Sequence, residues 1–238
     1  VEHGFPQGSV YAVIQTHDGY IWLGTLKGLV RFDGIRFRIF NKENTGQLKD
    51  NSITALLEDT GGALWIGTSE GGLSCLKNGE FITYTLEECP GLKEISTIFQ
   101  DRAGVLWMGT LNSGLTCLKN GIFKTYNRKD GLVGTRVQAL LEDKEGRLMI
   151  ATGAGLAIQT SPGRFMPWHA RAPYPGKVDR FDKYIISMIA GVKGGLWIGC
   201  SDGLYRLEDD TLTYYGPDDG LPNPKIRCLY EDKNQNLW

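Results

Sequence analysis

The 238-residue chain has no block of like charge: 26 Lys and Arg are interspersed with 27 Asp and Glu, for a formal net charge of -1. Tracking a phosphate backbone or an anionic bilayer needs clustered cations, so nucleic acid is not an expected partner. Long apolar runs are missing too. The longest, around Tyr184 to Val192, falls far short of the ~20 residues of a membrane helix, and the N-terminus lacks the basic-then-apolar pattern of a signal peptide. The segment is therefore expected to be soluble, with no membrane contact of its own. Cysteines are few and odd in number, and Cys75, Cys89, Cys117, Cys200 and Cys228 form no CxxC or other metal-type spacing. They are expected to be small buried strand residues, and no metal or cofactor is implied. The three histidines make no HExxH, there is no GxSxG or P-loop, and Gly153-Ala154-Gly155 lacks the third glycine of a nucleotide fingerprint. No catalytic constellation is expected.

Glycine, by contrast, is abundant, with 32 residues, which suits many tight turns between short strands. The sequence is internally repetitive. Trp-apolar-Gly-Thr occurs at Trp22–Thr25, Trp65–Thr68 and Trp107–Thr110, weakens to Met149-Ile150-Ala151-Thr152 and Trp197-Ile198-Gly199-Cys200, and begins again at Trp238. The anchors lie 43, 42, 42, 48 and 41 residues apart. Before each anchor runs a period-two stretch, such as Ile53 to Glu58 or Ile226 to Glu231, which predicts a strand. Asp-x-x-Gly separates the two, as in Asp59 and Gly62, and predicts a hairpin. Gly-Leu opens a third strand, and aromatic or apolar pairs three apart, such as Phe81 and Tyr84, mark a fourth. The recurring carboxylate pairs Glu58-Asp59 and Glu142-Asp143 belong to this repeat. A catalytic pair would occur once.

Each unit thus reads as a four-stranded antiparallel meander, apolar on both faces, which buries itself only by stacking against copies of itself around an axis. The predicted fold is an all-β propeller with blades at about 8–42, 51–86, 94–128, 135–170 and 183–216 and a partial one at 224–238. Trp22, Trp65, Trp107 and Trp197 are its structural anchors, filling the gaps between blades, while the glycine two residues on leaves room for a neighbouring ring. Blades four and five, with Met149 and Ala151 in place of Trp and Gly and with Gly191 in place of the hairpin Asp, are expected to pack less regularly. Beginning at Val1 and stopping at Trp238, inside a predicted strand, the chain reads as a single segment, an open arc of a larger, seven-bladed ring.

The pattern Ile-x-x-Ile-x-Glu-Asp-x-x-Gly-x-Leu-Trp-Ile-Gly-Thr-x-x-Gly-Gly-Leu, nearly intact from Ile53 to Leu73, resembles the two-component regulator propeller repeat. The opening segment, Gly4 to Val10 through Gly28 to Gly34, looks like the first blade of such a region. The resemblance implies an extracytoplasmic or periplasmic sensor segment of a membrane-anchored bacterial histidine kinase, hybrid kinase or diguanylate cyclase. Its partners would be further blades and downstream domains of the same chain, a ligand, and a second copy in a homodimer.

Loops entering the first strand of each blade and those joining its second and third strands should gather on one face, where propellers bind ligands. There lie Lys27, Asn51, Glu70, Asn112, Arg136, Tyr184, Asp202 and Lys225. The long insertion from Ser161 to Tyr184 adds Arg171 and Tyr174 as candidates, whereas Trp168 falls on the offset of an outer-strand core residue. Polar side chains, Arg and aromatic rings suit an oligosaccharide. A ligand sensor is the leading reading. A protein-interaction propeller without a small ligand is the alternative, and a propeller hydrolase or lyase the third.

Overall fold

The computed structural model describes residues 8–168, 181–209 and 211–238. Among the described residues twenty strands form five separate four-stranded sheets, each an antiparallel meander in chain order. They are Val10–Gln15, Ile21–Thr25, Gly28–Phe32 and Phe37–Phe40 (β1 to β4); Ile53–Glu58, Leu64–Thr68, Leu73–Lys77 and Glu80–Tyr84 (β5 to β8); and Ile95–Gln100, Leu106–Thr110, Leu115–Lys119 and Ile122–Tyr126 (β9 to β12). Val137–Glu142, Leu148–Thr152, Gly155–Ser161 and Arg164–Pro167 (β13 to β16) and Ile185–Ala190, Leu196–Cys200, Leu204–Glu208 and Thr211–Tyr215 (β17 to β20) complete the set. The chain divides into two compact units, Val1–Thr125 and Tyr126–Trp238.

In the first unit β1 packs beside β5 and β5 beside β9, and in the second β13 packs beside β17. First strands thus meet first strands, as the inner strands of stacked blades do. The cores lie between sheets. Trp22, Leu29 and Phe40 from one sheet bury against Ile53, Leu64 and Ile66 of the next. The fourth and fifth blades have four-stranded ladders, and in the fourth the pairing of the third and fourth strands shifts register between Gln159 and Ser161.

The repeat glycine has a different neighbour from the one its spacing suggests. A Cβ on Gly67 would lie 2.6 Å from Ile95 Cγ2, one on Gly24 3.0 Å from Ile53 Cγ2, and one on Gly199 2.6 Å from Ile226 Cγ2. The missing side chain therefore admits the β-branched isoleucine that opens the next inner strand, not an aromatic ring. In the sixth repeat the stretch Ile226 to Glu231 forms no full strand: Glu231 bridges Leu237, and Tyr230 and Trp238 exchange backbone hydrogen bonds at 3.0 and 2.7 Å.

The hairpin aspartate does more than turn the chain. Asp59 Oδ1 accepts from the Gly61 and Ala63 N–H groups, both at 2.9 Å, and Oδ2 accepts from Trp65 Nε1 at 2.8 Å. Asp101 holds Trp107 in the same way at 2.8 Å, and Asp232 holds Trp238 at 3.2 Å. Where Trp is replaced by Met149, Asp143 Oδ2 turns to Arg147 Nε at 2.7 Å. Where Asp is replaced by Gly191, Trp197 Nε1 is buried without a hydrogen-bond partner.

Candidate functional site

The threonine that ends each second strand builds the rim. Thr68 Oγ1 donates to Gly72 O at 2.8 Å and accepts from the Gly71 N–H at 2.9 Å. Thr25, Thr110 and Thr152 make the same pair of bonds, and all four are buried. The second-to-third-strand loops are thereby fixed from within. The fifth blade has Cys200 at this position, and burial, followed by the charge of Asp202, pushes its thiol up to about 12. Such a thiol stays protonated at neutral pH and is no nucleophile.

Backbone hydrogen bonds tie this loop to the residue before the first strand of its blade. Ser69 N donates to Ser52 O, Leu111 N to Glu94 O, Gly153 N to Arg136 O, and Ser201 N to Tyr184 O, at 2.9 to 3.2 Å. The two classes of loop expected to share a face therefore do so blade by blade. In the first unit a further bond, Glu94 N to Ser69 O at 2.7 Å, joins neighbouring blades.

Three candidate side chains of the first unit are occupied by neighbouring residues. Asn51 accepts from Lys42 N at 2.8 Å through Oδ1 and donates through Nδ2 to Glu43. Glu70 pairs with Lys93 at 3.3 Å, and Asn112 hydrogen-bonds Glu94. Lys27 is exposed, held through its backbone N–H by Thr25 Oγ1 at 3.0 Å. In the second unit Asp202 Oδ2 meets Lys183 Nζ at 2.7 Å and the Tyr205 hydroxyl at 3.3 Å, while its Oδ1 is buried without a partner. Tyr184 is 40% exposed and accepts from Gln138 Nε2 at 3.2 Å. Arg136 is half-buried and Lys225 exposed. Arg171 and Tyr174 lie outside the described residues.

Two aromatic residues of the insertion are core. Trp168 and Phe181 are both buried and meet edge to face at 6.5 Å, and Phe181 packs on Tyr205 at 5.0 Å. Among the described residues no three of His, Cys, Asp and Glu converge to hold a metal.

A family model for the two component regulator propeller matches residues 4–27, 47–70, 91–112 and 220–238. Four segments of the chain thus match the two-component regulator propeller repeat. No curated protein matches it. Among solved structures it is similar to the extracellular domain of a protein assigned as a hybrid two-component system of B. thetaiotaomicron, at 25% identity and a TM-score of 0.82 over 98% of this chain and 32% of that one. A second such domain from B. thetaiotaomicron matches at 20% identity and a TM-score of 0.62, over 99% of this chain and 37% of the other. The chain thus spans about a third of the length of these relatives. Virginiamycin B lyase from Staphylococcus aureus shares the fold at 13% identity and a TM-score of 0.72, covering 97% of this chain and 77% of the lyase.

Proposed function

We propose that this segment is the ligand-sensing part of an extracytoplasmic propeller in a bacterial two-component-type signalling protein, and that it recognises an oligosaccharide. The observation that carries the reading is the likeness, over nearly the whole chain, to the extracellular domain of a protein assigned as a hybrid two-component system. The rim supports it. Buried threonines and backbone bonds hold the loops in place, and Lys27, Arg136, Tyr184 and Lys225 offer polar or aromatic groups from them. Polar and aromatic groups on loops fixed in this way suit a sugar. Ligand binding there would favour one arrangement of the parent protein over another and pass to its output module as a shift in population. In this reading the segment itself is not an enzyme, and the lyase likeness bears on fold alone.

The test is a thermal-shift screen of the chain against a panel of oligosaccharides. A ligand that binds only the folded state stabilises it by about 2.7 kcal/mol at a hundredfold excess over Kd. The expected result is a saturable rise with at least one glycan, reduced by alanine at Lys27, Arg136 or Lys225. No shift with any glycan, together with specific capture of a protein partner on the rim, would replace the sensor by an interaction platform.

A further inference from the structure

In the second to fifth blades the residue before the first strand faces the first residue of the second-to-third-strand loop, as their shared backbone bond requires. In the first unit these positions are self-satisfied: Ser52 Oγ meets Ser69 Oγ at 3.0 Å, and Glu94 bonds Asn112 beside Leu111. The fourth blade breaks this rule. Arg136 faces Gly153, which has no side chain to offer. A Cβ placed on Gly153 would lie 3.4 Å from Arg136 Cδ and 3.1 and 3.5 Å from Tyr184 Cε2 and Cδ2. The arginine stem and the tyrosine ring therefore converge over the glycine, and any larger residue would push them apart.

Both are held from behind. Gly153 N donates to Arg136 O at 2.9 Å and Ser201 N to Tyr184 O at 3.2 Å. Gln138 Nε2 donates to the Tyr184 hydroxyl at 3.2 Å, which leaves the phenolic proton available to another acceptor. The Arg136 guanidinium has no hydrogen bond or ion pair among the described residues. The groups that Arg136 and Tyr184 leave unused are thus donors: a planar cation with five N–H and one phenolic O–H. Beside them stands a 40%-exposed aromatic ring.

We infer that Arg136 and Tyr184, gathered over Gly153 with Gln138 holding the phenol, form a subsite for the carboxylate of an acidic sugar. The guanidinium fork matches a carboxylate in two parallel hydrogen bonds, the phenol adds a third donor, and the ring offers a face or edge to the apolar side of the pyranose. The inference rests on the glycan-sensing reading and narrows it to uronate-containing oligomers.

The experiment is calorimetric titration of the chain with galacturonate, glucuronate and mannuronate oligomers, their methyl esters, matched neutral oligosaccharides and a tetraglutamate peptide. At least one uronate oligomer should bind, its methyl ester about tenfold or more weakly. Arg136→Ala should weaken the acid at least tenfold and leave the ester unchanged, with the melting temperature of the free protein unaltered. Arg136→Lys should fall between, and Tyr184→Phe should weaken the acid a few-fold by removing only the hydroxyl. If acid and ester bind alike, or Arg136→Ala binds the acid as well as the wild type does, the subsite is refuted while the sensor reading stands. Binding of neutral glycans alone has the same meaning. If no sugar binds, both readings fall, and binding of the peptide alone would reassign the rim to protein partners.

Discussion

The indole-to-aspartate bond gives the sharpest test of how the repeat is held together, because the chain contains its own control. In the second blade Trp65 is partly buried, donates to Asp59 Oδ2 at 2.8 Å and stacks on Tyr84 at 6.3 Å. In the fifth, Trp197 is likewise partly buried and packs on Tyr215 at 5.9 Å, but Gly191 leaves its Nε1 unpartnered. Asp59→Ala would orphan the indole N–H and the N–H of buried Ala63. At about 1–3 kcal/mol for each unsatisfied donor, and with water reaching part of this turn, a loss of about 2–4 kcal/mol is expected. Trp65→Phe removes apolar area as well as the bond, for a comparable loss. The double variant should be less destabilised than the sum of the two, by a coupling of about 1–2 kcal/mol appropriate to a charge-assisted bond. Trp197→Phe deletes a donor that had no acceptor, so it should be milder than Trp65→Phe by a similar amount. The Arg206 guanidinium, 4.7 Å above the Trp197 ring, narrows that gap by about 0.5 kcal/mol. Urea unfolding followed by far-UV circular dichroism, each variant compared with the wild-type transition of its own unit, measures all four. A coupling under about 0.5 kcal/mol, or equal losses at Trp65 and Trp197, would show that ring packing alone sets the role of the tryptophan.

Three further outcomes follow from the same geometry. Thr110→Val keeps the shape of a fully buried side chain but removes its bonds to Gly114 O and Ser113 N. It should destabilise by about 1–3 kcal/mol and raise amide exchange at residues 111–114, and unchanged exchange there would refute the rim-fixing role. Gly67→Ala places a methyl 2.6 Å from Ile95 Cγ2, so overpacking should cost about 1–3 kcal/mol; a neutral result by urea unfolding would mean the adjacent blades slide apart freely. His17 reaches across to Glu58 through both its backbone N–H, at 2.9 Å, and its ring Nδ1, and that hydrogen bond, then the Glu58 charge, raises its pKa above the ordinary 6.5. Its contribution is therefore fully present below about pH 6.5 while Glu58 is ionised, and is lost as pH rises through the elevated folded value. The melting temperatures of wild type and His17→Gln should converge as pH rises toward 8, and a constant difference from pH 5.5 to 8 would remove the ion pair from the account.

The fold was legible because a repeat shows its structure several times over. A period of two before each anchor, Asp-x-x-Gly, and Gly-Leu are each weak as single signals, yet their fixed offsets around Trp22, Trp65, Trp107 and Trp197 leave little besides a four-stranded meander. What stayed hidden was which partner each repeated residue serves. The six-residue step from Asp59 to Trp65 and from Asp101 to Trp107 was open to view, but read as turn chemistry it gave no sign of a side-chain bond closing over the hairpin. The glycine after the tryptophan was read as room for a ring, when its contact is with an isoleucine some 28 residues further on, as from Gly67 to Ile95.

The rim resisted reading for a different reason. Spacing placed Asn51, Glu70 and Asn112 on ligand-facing loops beside Arg136, and nothing in their residue types separates them. The distinction lies in their neighbours. Lys42 N and Glu43 occupy Asn51, Lys93 occupies Glu70, and Glu94 occupies Asn112, so these three polar groups act on the protein itself. Arg136 escapes this only because the loop residue opposite is Gly153, whose absent side chain admits a tyrosine ring from the following blade. In a repeat protein the copies fix what each position does for the fold. A position becomes free for recognition where one copy drops its internal partner, so the departures from the pattern, and not the pattern, are where binding is to be sought.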